Sequence, residues 1–121
     1  MRTRTAEVFI DEAEILHIRV LKNASIDLSD AIDSFILAQN LSKGLPKLVL
    51  ADMRLKRSMA IKARRLFETE NVPAKHIAKA LLVNSPLIKN LNNILVRKKS
   101  KNPVRTFTSE QKAIAWLKSF S

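Results

Sequence analysis

The chain has 121 residues, 46% hydrophobic and 27% charged, a balance that suits one folded core rather than a disordered chain. It contains no cysteine, which excludes a disulfide scaffold, a thiolate metal site and a cysteine nucleophile. Lysine and arginine number 22 against 11 acidic residues, and the net charge of +11 points to an anionic partner without naming one.

The opening Met1-Arg2-Thr3-Arg4 is basic, but Glu7, Asp11 and Glu12 follow where a signal peptide would carry its apolar stretch. No apolar run approaches the ~20 residues that cross a bilayer. A cytoplasmic protein with a single domain over residues 1–121 is therefore expected. Residues 6–10 and 15–21 read as two strands; in the second, His17 and Arg19 alternate with Leu16, Ile18 and Val20, the period of a half-buried strand. A helix follows, capped by Ser25 or Asp27, with Leu28, Ile32, Phe35 and Ile36 on one face. Gly44, the one glycine, stands where that helix needs a left-handed C-cap, and Pro46 stops continuation.

Residues 48–51, all apolar and ending at Asp52, read as a parallel strand buried on both faces. Residues 58–70 read as a second helix, with Met59, Ala63, Leu66 and Phe67 at helical spacing and Ser58 as its N-cap. Residues 78–83 form the next buried strand. Ser85 and Pro86 then suit the start of a third helix, whose inward stripe is Leu87, Leu91, Ile94 and Leu95. It runs into a basic loop containing Arg97, Lys98, Lys99 and Lys101. A short strand at Val104–Phe107 leads to Thr108 and Gln111, spaced as a capping box, and to a last helix bearing Ala113, Ile114, Leu117 and Phe120, with Trp116 off to one side. The order β-β-α-β-α-β-α-β-α predicts an α/β fold: one mixed, mostly parallel sheet of four or five strands, an antiparallel hairpin at its start and about four helices packed on it.

The charge is divided along the chain. Residues 1–46 hold five basic and seven acidic side chains, a net of −2, whereas residues 47–121 hold 17 basic and four acidic, a net of +13. Such a front and back could also meet in a homodimer. One glycine is too few for a phosphate-binding loop, His17 and His76 have no carboxylate at ligand spacing, and the acidic clusters suit a strand end and a helix N-terminus. The chain is expected not to be an enzyme and to need no cofactor. What remains is a basic face: Arg54, Lys56, Arg57, Lys62, Arg64 and Arg65 about the second helix, with Ser85, Arg97, Lys98 and Lys99 further on. Such a face suits a protein contact. The alternative, an anionic ligand or nucleic acid, would use the same cations for phosphates, and with one Trp, no Tyr and core-bound Phe the chain offers little for base stacking.

The C-terminal half combines the strand at residues 80–83, Asn84-Ser85-Pro86-Leu87, Pro103-Val104-Arg105-Thr106-Phe107, and Ser109-Glu110 with Ala113, Trp116 and Leu117. Together with the element order this resembles the small bacterial STAS-like proteins of the SpoIIAA-like fold, over residues 6–120 and in a branch of uncharacterised function. The resemblance implies a regulatory, protein-binding module similar to the anti-sigma-factor antagonists, with a regulator or kinase-like protein as partner. In those proteins a serine in the pattern Asp-Ser-x-Gly, at the start of the helix after the third strand, is phosphorylated. The matching stretch here looks like Arg57-Ser58-Met59-Ala60, which keeps the serine and replaces the Asp and the Gly. Ser58, with Lys56 and Arg57 beside it, is thus the implied phosphorylation or anion site. The lipid-binding branch of the same resemblance implies longer chains, so a hydrophobic-ligand role is less supported.

Overall fold

The computed structural model describes residues 1–69, 76–84 and 102–121. The chain begins with an antiparallel hairpin of β1 (Ala6–Ile10) and β2 (Ile15–Val20). Its turn is built on Asp11, one carboxylate oxygen of which accepts the backbone N–H groups of Ala13 (2.8 Å) and Ile15 (3.0 Å). Glu14 takes the left-handed conformation that closes the turn, at φ 65°. After a two-residue strand β3 (Ser25–Ile26), helix α1 (Leu28–Ser42) leads to β4 (Lys47–Asp52). A second two-residue strand, β5 (Ser58–Met59), precedes α2 (Ile61–Glu68). Then come β6 (His76–Leu82), β7 (Val104–Phe107) and the final helix α3 (Glu110–Lys118). The main sheet has the order β1-β2-β4-β6-β7, parallel from β2 onward, while β3 and β5 pair in parallel as a separate ribbon.

Sequential parallel neighbours joined by crossovers of one hand put both connecting helices on the same face. On that face α1 and α2 cover Leu16, Ile18, Val20, Val49, Ala51 and Leu81, and the Phe35 and Phe67 rings meet between the helices at 5.0 Å. The opposite face holds Ile15, Leu48, Leu50, Ala78, Ala80, Leu82 and Phe107, closed by Ala113 and Leu117 of α3. Helix α3 follows the last strand and so can return over the second face. Two apolar layers on one sheet explain why β4 and β6 lack alternation. Among the described residues no helix is long and apolar enough to cross a membrane.

Several expectations are corrected. β2 is buried at every position except Arg19, because His17 on its second face lies under cover, stacked on Phe9 at 4.6 Å. The cap of α1 is Asp27, in a reciprocal box with Asp30 (2.9 and 3.0 Å), whereas Ser25 lies in β3. The buried face of α1 is Ala31, Ser34, Phe35 and Ala38; Ile36 is 47% exposed, since small residues let the helix backbone sit close on the sheet and turn Ile36 outward. The left-handed C-cap is Lys43, φ 55°, followed by Gly44, φ 75°. Ser58 is not a helix cap: it belongs to β5, and α2 starts after Ala60, which supplies no side-chain cap. The cap of α3 is Ser109, accepting from the Lys112 N–H, rather than Thr108. Phe120 lies past the helix, 41% exposed, edge-on to Trp116, which itself packs on Phe107 at 5.5 Å. The described residues hold three helices against about four expected; the third expected helix, with Ser85 at its start, lies outside them.

Candidate functional site

The ribbon creates the first concave feature. The Arg57 N–H donates to the Ala24 carbonyl (2.8 Å) and the Ala60 N–H to Ile26 (2.8 Å), while the Asn23 N–H donates to Leu55 (2.9 Å). These bonds bring Ser58 beside Ser25 and Met59 beside Ile26. Between them lies an open depression of about 520 Å³, lined by both ribbon strands with Arg4, Asp27 and Ala60. Ser58 is exposed at its rim. The Arg4 guanidinium is gripped by the buried Asp30, Nε to Oδ1 at 3.0 Å with Nη2 on the second oxygen, and Nη2 also reaches the Ser25 carbonyl at 3.3 Å. The Asp30 backbone N–H and the Ser29 hydroxyl hold the Asp27 carboxyl below the ordinary carboxylate range, so the depression keeps a negative wall at neutral pH.

The second concave feature, about 620 Å³, lies at the carboxyl ends of β2, β4 and β6, between Arg19, Asp52, Arg54, Leu55, Asn84 and Glu110. Arg54 is its hub. Its Nε and Nη2 donate to the two oxygens of Asp52 (3.0 and 2.8 Å), and Nη2 also donates to Glu110 (2.9 Å). The Asn84 amide holds the Arg54 carbonyl at 2.9 Å. Burial raises the Asp52 pKa, but the side-chain and backbone hydrogen bonds from Arg54 outweigh it, and the carboxyl titrates below its ordinary value. The network ties the end of β4 to the first turn of α3. Arg54 is therefore a cation already spoken for.

The structure sorts the other expected face residues. Arg64 donates to Glu68 one turn on (3.1 Å). Lys56, Arg57, Lys62 and Arg65 are exposed and have no ion pair among the described residues. Ser85, Arg97, Lys98 and Lys99 lie outside the described residues.

Two features escaped the sequence reading. Lys79 is wholly buried in β6, its ammonium 3.3 Å from the Thr69 carbonyl and 4.9 Å from the centre of the Phe35 ring. A lysine flanked by alanine in an apolar strand was the available signal. His17 Nε2 lies 2.8 Å from Asp11, a pairing that a hairpin turn between Asp11 and β2 would have allowed. Burial raises the Asp11 carboxyl, yet the bonds from His17, Ile15 and Ala13 bring it below its ordinary value. Among the described residues no three His, Asp or Glu side chains gather in a way that could hold a metal ion.

The sequence profile of a family described as "Domain of unknown function (DUF7793)" matches residues 8–121, and the chain belongs to that family. An uncharacterised protein of the DUF3478 family from Shewanella loihica PV-4, described as having a SpoIIAA-like fold, superposes with a TM-score of 0.60 over 97% of this chain and 98% of that one, at 13% identity. The fold is thus SpoIIAA-like, as the resemblance implied. A search of curated proteins found no match.

Proposed function

We infer that the chain is a non-enzymatic, STAS-like regulatory module that binds another protein through the surface of residues 54–65, with Ser58 as the position where an anion or phosphate adjusts that contact. The observation that carries this reading is the placement of Ser58: an exposed hydroxyl at the rim of the ribbon depression, three residues ahead of an α2 start that no side chain caps. A phosphate there would meet opposing fields. Lys56, Arg57 and the uncapped N–H groups of α2 attract it, whereas the ionised Asp27 repels it. Modification would thus change the surface a partner meets.

The test is to capture partners from the native host with the full chain, then compare Ser58→Ala and Ser58→Asp for each partner. Affinities that differ by threefold or more between the two, with a phosphate on Ser58 in the intact mass of protein from those cells, support the reading. Equal affinities with unmodified Ser58 remove the switch. Loss of every partner at ~0.5 M salt, where screening acts within a few Å, replaces the module with a polyanion binder.

A further inference from the structure

Between Asp52 and Glu68 the chain carries six cations and no acid. The folded protein divides them. Arg54 and Arg64 are spent on Asp52, Glu110 and Glu68, which leaves Lys56, Arg57, Lys62 and Arg65 facing solvent. The same stretch of chain carries two exposed aliphatic side chains: Leu55 is 53% exposed and Ile61 67%. In sequence they flank Ser58, Met59 and Ala60, which line the ribbon depression, while Leu55 itself lines the strand-end cleft.

We propose that this surface docks an acidic amphipathic segment of another protein, its apolar side chains on Leu55 and Ile61 and its carboxylates on Lys56, Arg57, Lys62 and Arg65. The proposal rests on the interaction-module reading and adds the partner's chemistry. Charge sets the sign of the partner, because four cations without counter-ions among the described residues favour carboxylates or phosphates. The aliphatic pair then separates these. A nucleic acid gains from stacked rings, which the patch lacks, and gains little from isoleucine. A bilayer would welcome both features, but it presents a smooth surface and leaves the ribbon depression, lined by Ser58, Met59 and Ala60, unfilled. A folded or folding peptide can put a side chain into it.

A second copy of this chain is a poor occupant. Its acids are largely engaged: Asp11 with His17, Glu14 with Lys47, Asp30 with Arg4, Asp52 and Glu110 with Arg54, Glu68 with Arg64. Apart from the N-cap Asp27, the described carboxylates without an ion pair are Glu7, Glu12 and Asp33, on β1, the hairpin turn and α1.

The test is selection of peptides of about a dozen residues from a random displayed library on the immobilised full chain. Affinities of the synthetic peptides are then measured for wild type, Leu55→Ser/Ile61→Ser and Lys56→Glu/Lys62→Glu. All four positions are exposed, so both variants keep the wild-type thermal midpoint within a few degrees. Support consists of selected peptides that pair acidic with apolar residues and weaken tenfold or more in each variant, the serine pair weakening them also at ~0.5 M salt. Peptides without acidic excess, or unaffected by the serine pair, overturn the proposal. Phosphatidylglycerol vesicles and poly(U) RNA are run beside them. Vesicle binding lost in the serine pair, with no such peptide selected, makes the surface a membrane patch; tight poly(U) binding indifferent to the serines makes it a phosphate face. Either overturns it. Selected peptides whose amide shifts map away from residues 55–65 overturn the patch and leave the module reading standing.

Discussion

Arg54→Met tests the reading of the strand-end cleft as a clamp. The side chain makes three charge-assisted hydrogen bonds, two to Asp52 and one to Glu110. Fully buried, each would be worth roughly 1.5–3 kcal/mol. Asp52 is nearly covered, with 14% side-chain exposure, but Arg54 keeps 35% and Glu110 45%, so screening brings the total down toward surface-pair values. The expected loss is about 2 kcal/mol, which in a chain of this length lowers the thermal midpoint by about 8 °C. The pH dependence carries the sharper signature. In the wild type the Asp52 carboxyl lies below its ordinary value, so its stabilisation is complete above an unfolded pKa of about 3.9 and is lost as pH falls through the folded one. In the variant burial acts against only the remaining backbone bond and Arg19, the folded pKa moves up, and that acid-side loss disappears. Melts at pH 7, 5 and 3 should therefore show a gap between the two proteins that is widest at pH 7 and narrows toward pH 3. Asp52→Asn/Arg54→Met, which leaves no uncompensated carboxylate on β4, should recover at least half the loss. A gap that stays constant from pH 7 to pH 3, with an Asp52 carboxyl carbon that titrates alike in both proteins, would refute the clamp.

Two further perturbations probe the frame that presents the site. Asp27→Ala removes the acceptor for the Asp30 N–H and should cost about 1 kcal/mol, read by urea unfolding and by faster hydrogen exchange in the first turn of α1; unchanged exchange there would show that Asp30 and Arg4 hold the turn alone. Phe67→Ala opens a cavity beside Phe35 and should cost about 3–5 kcal/mol, against about 1 kcal/mol for Phe67→Leu; equal costs would mean that the ring is not packed between α1 and α2.

The large elements were legible because their signals are redundant. β4 reads as a buried parallel strand from Leu48-Val49-Leu50-Ala51, and α3 from Ala113 and Leu117 one turn apart, whichever neighbours they meet. The ribbon was not legible. Two residues at Ser25 and two at Ser58 are too short for any periodicity, and they pair across more than thirty positions of chain. Met59, Ala63 and Phe67 keep helical spacing, so the pattern of α2 extends backward over β5 without a break. That is why Ser58 reads as a cap. The backbone turns at Ala60 because the Ala60 N–H goes to Ile26 and the Arg57 N–H to Ala24, bonds made to a distant strand. Tertiary pairing there overrides a good local helix signal.

The basic face shows why composition cannot locate a contact. Lys56 and Arg54 are two residues apart and look alike in sequence. Arg54 sits where β4 leaves the sheet, within reach of Asp52 behind it and Glu110 at the start of α3, 56 positions away. Lys56 sits beyond that junction and is exposed. A charge count gives them equal weight, although only one has a charge to offer a partner. The same holds for Arg64 and Arg65: Glu68 lies four residues from the first and three from the second, both neighbouring spacings on a helix, and of the two Arg64 makes the pair. Helical spacing made a Glu68 pairing predictable without choosing its arginine, while the Arg54 pairing needed the topology of the sheet. Net charge therefore indicates the sign of what the protein meets, and the fold decides which cations remain to meet it.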